Sequence, residues 1–301
     1  MNRSDILTAR PVLTRLALAA ALTLLGACSP RMLIVQGMAD ELASQDRQTE
    51  DDLVLAREAS AFYLKLSESV LRQTPDHLRL AEAVAGGFTQ YAYAFVAFEA
   101  DKLDARDTKA AQQLRERAAR LYLRAHRHAM TALERHSPGF AQALARPTAA
   151  DWPHLDEAEV GTAYWAAAAW GGYISLSKDQ PDVVADLPLA IRLARLAWDK
   201  QPGFGDGALA SLMGTFEAAR PGGSPEQAAR YFDQAITVSA GTSAGAYVAK
   251  AESWAQPAGD RAAFDALLRQ ALQAAAARRD LPNEVMRERA QWLLDSADDL
   301  F

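Results

Sequence analysis

Cysteine is all but missing: Cys28 stands alone in 301 residues, so no disulfide can form within the chain. Long hydrophobic runs are missing too. The apolar stretch Leu16 to Leu25 holds about ten residues, half of the roughly 20 that span a bilayer. No segment alternates apolar and polar residues with period two, which argues against a sheet. Positive charge is in deficit, with a net charge of −6 and arginines scattered among acids, so nucleic acid is excluded as a partner and the charges read as solvated faces. Gly-x-Ser-x-Gly, Walker and Gly-x-Gly-x-x-Gly signatures are lacking, as is His-Glu-x-x-His. His77, His126, His128, His136 and His154 have no metal-ligand spacing; His126 and His128 fall about 200° apart on a helix. The acid pairs Asp156-Glu157 and Asp298-Asp299 sit at a helix start and a chain end, where solvation and the helix dipole account for them. No catalytic residue, metal or cofactor is therefore predicted.

What is present begins with a targeting signal. Arg3, Arg10 and Arg15 lie before or at the edge of the short apolar run, and Leu25-Gly26-Ala27-Cys28 closes it. Small residues directly before the lone cysteine resemble a bacterial lipobox, so residues 1–27 are predicted to be a lipoprotein signal peptide and Cys28 the lipidated first residue of the mature chain. A signal cleaved without lipidation is the alternative. Two or three acyl chains, at about 0.8 kcal/mol per buried CH₂, form a stable anchor. Ser29 in the next position favours the periplasmic leaflet of an outer membrane. Residues 28–50 then read as a tether, with Ser29-Pro30 as a helix breaker, and residues 51–301 as one all-α domain.

Helix formers dominate that domain, and its punctuation is regular. Apolar residues recur at three- and four-residue spacing from Asp51 to a stop at Gln73-Thr74-Pro75. Further helices are predicted from Asp76 to about Asp101, from Lys109 to His136, and over 156–177, 186–200, 206–219, 225–239, 243–255, 260–278 and 283–297. Leu133 to Phe140, ending Ser-Pro-Gly-Phe, is echoed by Ala197 to Phe204, ending Gln-Pro-Gly-Phe. Ala190, Ala194 and Ala197 before the second of these resemble the close-packing positions of a tetratricopeptide repeat, and Ala228, Phe232 and Ala235 repeat the spacing. Helix, short turn, helix without strands predicts an α-solenoid of degenerate tetratricopeptide-like hairpins, with an irregular α-bundle as the alternative.

Two stretches are dense in aromatic residues. In Tyr164 to Asp179, Trp165, Trp170 and Tyr173 cannot share one helical face, and Ala and Gly fill the gaps, so this helix should be enclosed on most sides. In Gly86 to Phe98, Tyr91, Phe95 and Phe98 share a face while Tyr93 points elsewhere. Packing of an alanine-rich core accounts for such residues. The functional alternative is a cavity for an apolar ligand, or support for a partner surface. Its candidate residues are Phe88, Thr89, Gln90, Tyr91, Tyr93, Phe95, Tyr164, Trp165, Trp170, Tyr173 and Lys178, of which Thr89, Gln90 and Lys178 are the polar handles.

These strings resemble those of the TRAP transporter T-component family, lipoproteins that accompany tripartite ATP-independent periplasmic transporters. The resemblance runs through Gly87-Phe88-Thr89-Gln90-Tyr91-Ala92-Tyr93-Ala94-Phe95-Val96, Tyr164-Trp165 to Trp170-Gly171, and Ser175-Leu176-Ser177-Lys178-Asp179 with Asp186-Leu187-Pro188. It continues in Glu217-Ala218-Ala219-Arg220-Pro221-Gly222-Gly223 and Asp298-Asp299-Leu300-Phe301. It implies a helical-repeat protein that binds the transporter's solute-binding P component as a scaffold, with no catalytic residues to carry over. Homo-oligomers, trimers among them, fit close-packed Ala/Gly helices on a shared anchor plane. A carrier of a hydrophobic ligand for the same uptake system is the first alternative, and a repeat lipoprotein of outer-membrane or pilus assembly the second.

Overall fold

A computed structural model describes residues 30–44 and 51–301; the expected signal peptide over 1–27 and Cys28 lie outside the described residues. Helix α1, Pro30–Ser44, is followed by α2, Leu53–Leu71, whose N-cap Asp52 accepts hydrogen bonds from the amides of Val54 and Leu55. Helix α3 consists of Leu78–Ala92, a π-helical turn Tyr93–Ala97, and Phe98–Leu103. The long α4, Thr108–His136, starts on Asp107 and ends before Ser137-Pro138-Gly139, where Gly139 takes φ +86°. There follow α5, Phe140–Leu144; α6, Val160–Ser175; α7, Pro181–Val184; and α8, Leu187–Lys200. The C-terminal part holds α9, Ala208–Ala219; α10, Pro225–Val238; α11, Ala244–Lys250, continued by a second π-helical turn Ala251–Ala255; α12, Arg261–Ala277; α13, Leu281–Asp295; and α14, Ala297–Leu300. The described residues are all-α, with no strand among them.

The stretch read as a tether contains α1, which departs from the expectation that Ser29-Pro30 is non-helical. Proline is tolerated at the first helical position because its missing N–H would have had no partner there. Helix α1 docks on α2 and α3: Ala39 and Leu42 are buried, and the Nε2 of His77 lies 3.1 Å from the Oδ1 of Asp40.

Helix α6 is enclosed as its residues require, packing against α3, α4, α8 and α9. Val160, Ala163, Ala166, Ala167 and Ala169 have no solvent exposure, and Tyr164 and Trp170 are buried. Ala190, Ala194 and Ala197 on α8, and Ala228, Phe232 and Ala235 on α10, are fully buried too, so the small-residue positions are helix contact points. A second core lies among α11, α12 and α13 around Val248, Phe264, Leu268 and Leu293.

The last long helix returns to the beginning of the chain. Helix α13 packs on α2, the Trp292 ring meets Phe98 edge-on at 5.7 Å, and Arg279 pairs with Asp51 at 2.9 Å. Such contact between distant elements differs from an open solenoid, in which each hairpin touches only its neighbours.

Candidate functional site

Glycines in and near the aromatic stretches seat large rings from neighbouring helices. Trp165 on α6 lies on Gly86 of α3 so closely that a Cβ there would be 2.8 Å from the indole. Gly171 faces the Phe216 ring and Gly172 the Tyr122 ring, each at 2.8 Å by the same measure, and Gly214 faces Phe232 at 2.9 Å. Real Cβ atoms do not come so near a ring, so glycine is what allows these helices to close on their aromatic partners. Trp170 lies 4.3 Å from the His126 ring, whose Nδ1 is 3.1 Å from the carbonyl of Ala166. Burial drives the His126 pKa down to about 4, with the Ala166 carbonyl opposing, so the ring is neutral at pH 7. Tyr164 is buried between Trp165 and Phe204, at 4.8 and 5.2 Å, and burial alone pushes its hydroxyl up to about 12.

The other candidates spread over several environments. Phe88 is buried between His128, stacked at 6.2 Å, and the Arg124 guanidinium at 4.9 Å. Thr89 is buried and donates its hydroxyl to the Ala85 carbonyl at 2.7 Å, within its own helix. Gln90 and Lys178 are exposed. Tyr91 and Phe95 meet edge-on at 5.5 Å, and Tyr173 and Tyr93 are half-buried. A pocket of about 100 Å³ lined by Pro75, Asp76, Leu78, Ala132, Arg135 and His136 contains none of these residues.

Two charge clusters escape detection in the sequence. In the first, the carboxylate of Glu68 on α2 is 3% exposed and is held by Arg124, which bonds both of its oxygens, by Lys65 at 2.6 Å, by His128 at 2.9 Å and by Arg72 at 3.4 Å. Burial by itself would raise the Glu68 pKa, but the bonds from Arg124, Lys65 and His128 outweigh it and bring the value down to about 2.

The second cluster is centred on Arg289 of α13, 11% exposed. Its guanidinium takes both oxygens of Glu252, at 3.0 and 2.6 Å, and one of Asp101 at 3.1 Å. The rings of Phe98, Tyr93 and Trp292 surround it at 5.1, 5.3 and 5.9 Å. Tyr93 belongs to one π-helical turn and Glu252 to the other, so both irregular turns aim side chains at one arginine. Burial raises the Asp101 pKa, with Arg289 opposing, and burial also lifts the Tyr93 hydroxyl above its ordinary range. Asp101 is 188 positions from Arg289 and Glu252 is 37 away, so no local spacing could have joined them.

A third grouping is spatial and has no counterpart in sequence spacing. His136, Asp156 and Glu159 bring ligand atoms within 4.8 Å of one another. Glu159 is already engaged, accepting from the Ser137 hydroxyl at 3.0 Å and the Asp156 amide at 2.8 Å in a capping box. The partial positive charge of that helix start disfavours a cation, so the structural role is sufficient.

The string Glu217 to Gly223 is a turn device. Arg220 donates to both Glu217 oxygens at 2.8 and 2.6 Å, and the Ser224 amide adds a third bond at 2.8 Å. Gly222 takes φ +71°, and a Cβ on Gly223 would lie 1.9 Å from the Glu217 carbonyl oxygen.

Over 267 residues the chain is 28% identical to an uncharacterized protein of Treponema pallidum (strain Nichols), covering 84% of this chain and 81% of the relative. Residues 49–301 match the family described as TRAP transporter T-component, and the chain belongs to that family.

Proposed function

We propose that the protein is a lipid-anchored periplasmic scaffold that binds the solute-binding P component of a TRAP transporter. The observation that carries this reading is the family match across 49–301, which takes in both aromatic stretches, both π-helical turns and the Glu217 turn. Those strings serve close helix packing and turn closure, which suits a protein whose product is a shaped surface. In this reading the attachment is through acyl chains on Cys28; no helix among the described residues is long and apolar enough to cross a membrane. The buried Ala190, Ala194, Ala197 and Ala228, Phe232, Ala235 sets support the reading of its helix pairs as degenerate tetratricopeptide hairpins. Confinement on one side of the periplasm raises effective concentration, so a modest affinity for the receptor is sufficient.

The test is pull-down and light scattering of the mature chain with a TRAP solute-binding P component from the same organism, with and without solute. A complex is expected at about 100 μM, where even a contact near the millimolar end is partly populated. Absence of any complex there overturns the scaffold reading in favour of a ligand carrier.

A further inference from the structure

Large apolar side chains reach solvent mainly on the first two helices. Ile34 and Met38 on α1 are 65% and 42% exposed, and Val54, Leu55 and Phe62 on α2 are 69%, 52% and 70% exposed. The other large hydrophobics so exposed among the described residues, Val184, Val238 and Phe301, are dispersed over separate elements. At 100° per residue, Ile34 and Met38 share one face of α1, and Val54, Leu55 and Phe62 lie within one arc of α2 about 100° wide. That arc continues into Lys65 and Arg72, both more than half exposed, and carries one acid, Glu58.

Helix α4 adds a basic stripe beside it. Arg117, Arg120, Arg124 and Arg127 fall on one face. Arg117, Arg120 and Arg127 are exposed and have no hydrogen-bond or ion-pair partner among the described residues. Arg124 joins this stripe to the α2 arc through Glu68, the acid it shares with Lys65 and Arg72. The arginines that read as scattered in the sequence are therefore gathered by the fold, in a chain whose net charge is −6.

From this arrangement we infer that the combined face of α1, α2 and α4 docks on an anionic phospholipid surface. Apolar side chains to enter the interface, flanked by unpaired arginines for phosphate, are the two parts of interfacial membrane binding. What identifies the bilayer as occupant is position. Helix α1 opens at Pro30, two positions after Cys28 in the sequence, and a rise of 1.5 Å per residue puts Ile34 roughly 6 Å and Met38 about 12 Å from that first helical residue. Acyl chains on Cys28 hold this face against the headgroups. The inference rests on the lipid anchor proposed above and adds an orientation: the α1–α2–α4 side meets the membrane, and the remaining surface is presented to the receptor.

The test uses the mature chain with Cys28→Ser, which carries no acyl groups, and co-sedimentation with vesicles. Binding is expected to vesicles containing phosphatidylglycerol and to fade on phosphatidylcholine alone. Replacing Arg117, Arg120 and Arg127 together by Gln should lower the partition about a hundredfold, from about 1 kcal/mol per basic residue near the surface. Phe62→Asp should lower it further, and neither change should move the melting temperature, since all four side chains are exposed. Equal binding by the triple variant and its parent, or no binding to phosphatidylglycerol, overturns the inference. So does a self-association seen by light scattering that Phe62→Asp dissolves while vesicle partition stays constant, which would make a second copy the occupant. Mass spectrometry of the native mature chain reads acylation separately: an unmodified Cys28 sinks the anchor, whereas the vesicle result decides the face.

Discussion

Glu68 holds three cationic side chains and the His128 ring on one buried carboxylate, and it shapes how the fold answers acid. Its folded pKa of about 2 is below the ordinary 4.5, so the stability it contributes is full above pH 4.5 and is lost as pH falls toward 2. His126 acts in a higher window. Its folded value near 4 against an ordinary 6.5 means that the unfolded chain binds the proton first, and stability falls as pH drops from 6.5 to 4. Urea unfolding across pH should show both slopes, with His126→Phe removing the upper one and Glu68→Gln the lower one. Glu68→Gln should also cost about 3 kcal/mol at pH 7, because it removes one partner of a buried ionic cluster. The rings and their glycine seats give a second prediction. Alanine is the better helix former, yet Gly171→Ala should destabilise by about 1 to 3 kcal/mol, because its Cβ meets the Phe216 ring. Trp170→Ala should cost about 3 to 5 kcal/mol if the site is packed core and under about 2 if the ring lines a cavity. Urea midpoints of the two variants check both.

At the scale of elements, most helices were legible because their stops are chemical. The predicted helix from Lys109 to His136 begins within one residue of the observed Thr108–His136 and ends with it, since Asp107 caps the start and Ser137-Pro138-Gly139 bars continuation. Enclosure of α6 could be read from aromatic residues at every helical angle. Helix α1 could not, although Val35, Ala39, Leu42 and Ala43 recur at spacings of three and four and turn to the core, because Pro30 reads as a breaker when it is in fact the first helical residue. The π-helical turns were illegible as well, since one inserted residue leaves the local apolar pattern intact. Their effect is long-range: each extra residue rotates the rest of its helix by about 100°, which helps to set Asp101 and Glu252 on Arg289. Arg289→Met should therefore cost about 3 to 5 kcal/mol by leaving two carboxylates without their cation. Adding Asp101→Asn and Glu252→Gln should recover most of that loss, a non-additivity measured by urea unfolding of Arg289→Met, of the Asp101→Asn/Glu252→Gln pair alone and of all three changes together. Losses that simply sum would mean that the cluster is not one unit.

For the molecule as a whole, the return of α13 to the start of the chain changes what unfolding should look like. An open array of hairpins can melt from its ends, because each hairpin is stabilised only by its neighbours. Here Lys102 pairs with Glu288 at 2.9 Å, Arg289 with Asp101 at 3.1 Å and Arg279 with Asp51 at 2.9 Å, and Phe98 packs on Trp292. Releasing the α11–α13 core would strip Asp101 of its buried partner and expose Phe98, which is 1% accessible. Releasing α2 and α3 would do the same to Arg289 and Trp292 from the other side. Each half thus raises the cost of opening the other, and the two cores should unfold in one transition. Hydrogen exchange under native conditions should give the slowest amides of α6 and of α12 the same opening free energy, and urea curves from tryptophan fluorescence and far-ultraviolet circular dichroism should coincide. A C-terminal core that exchanges at a distinctly lower free energy would place the chain among open solenoids instead. Should both cores open only together, the surface would keep one shape, and the receptor binding proposed above would need no further ordering of this chain.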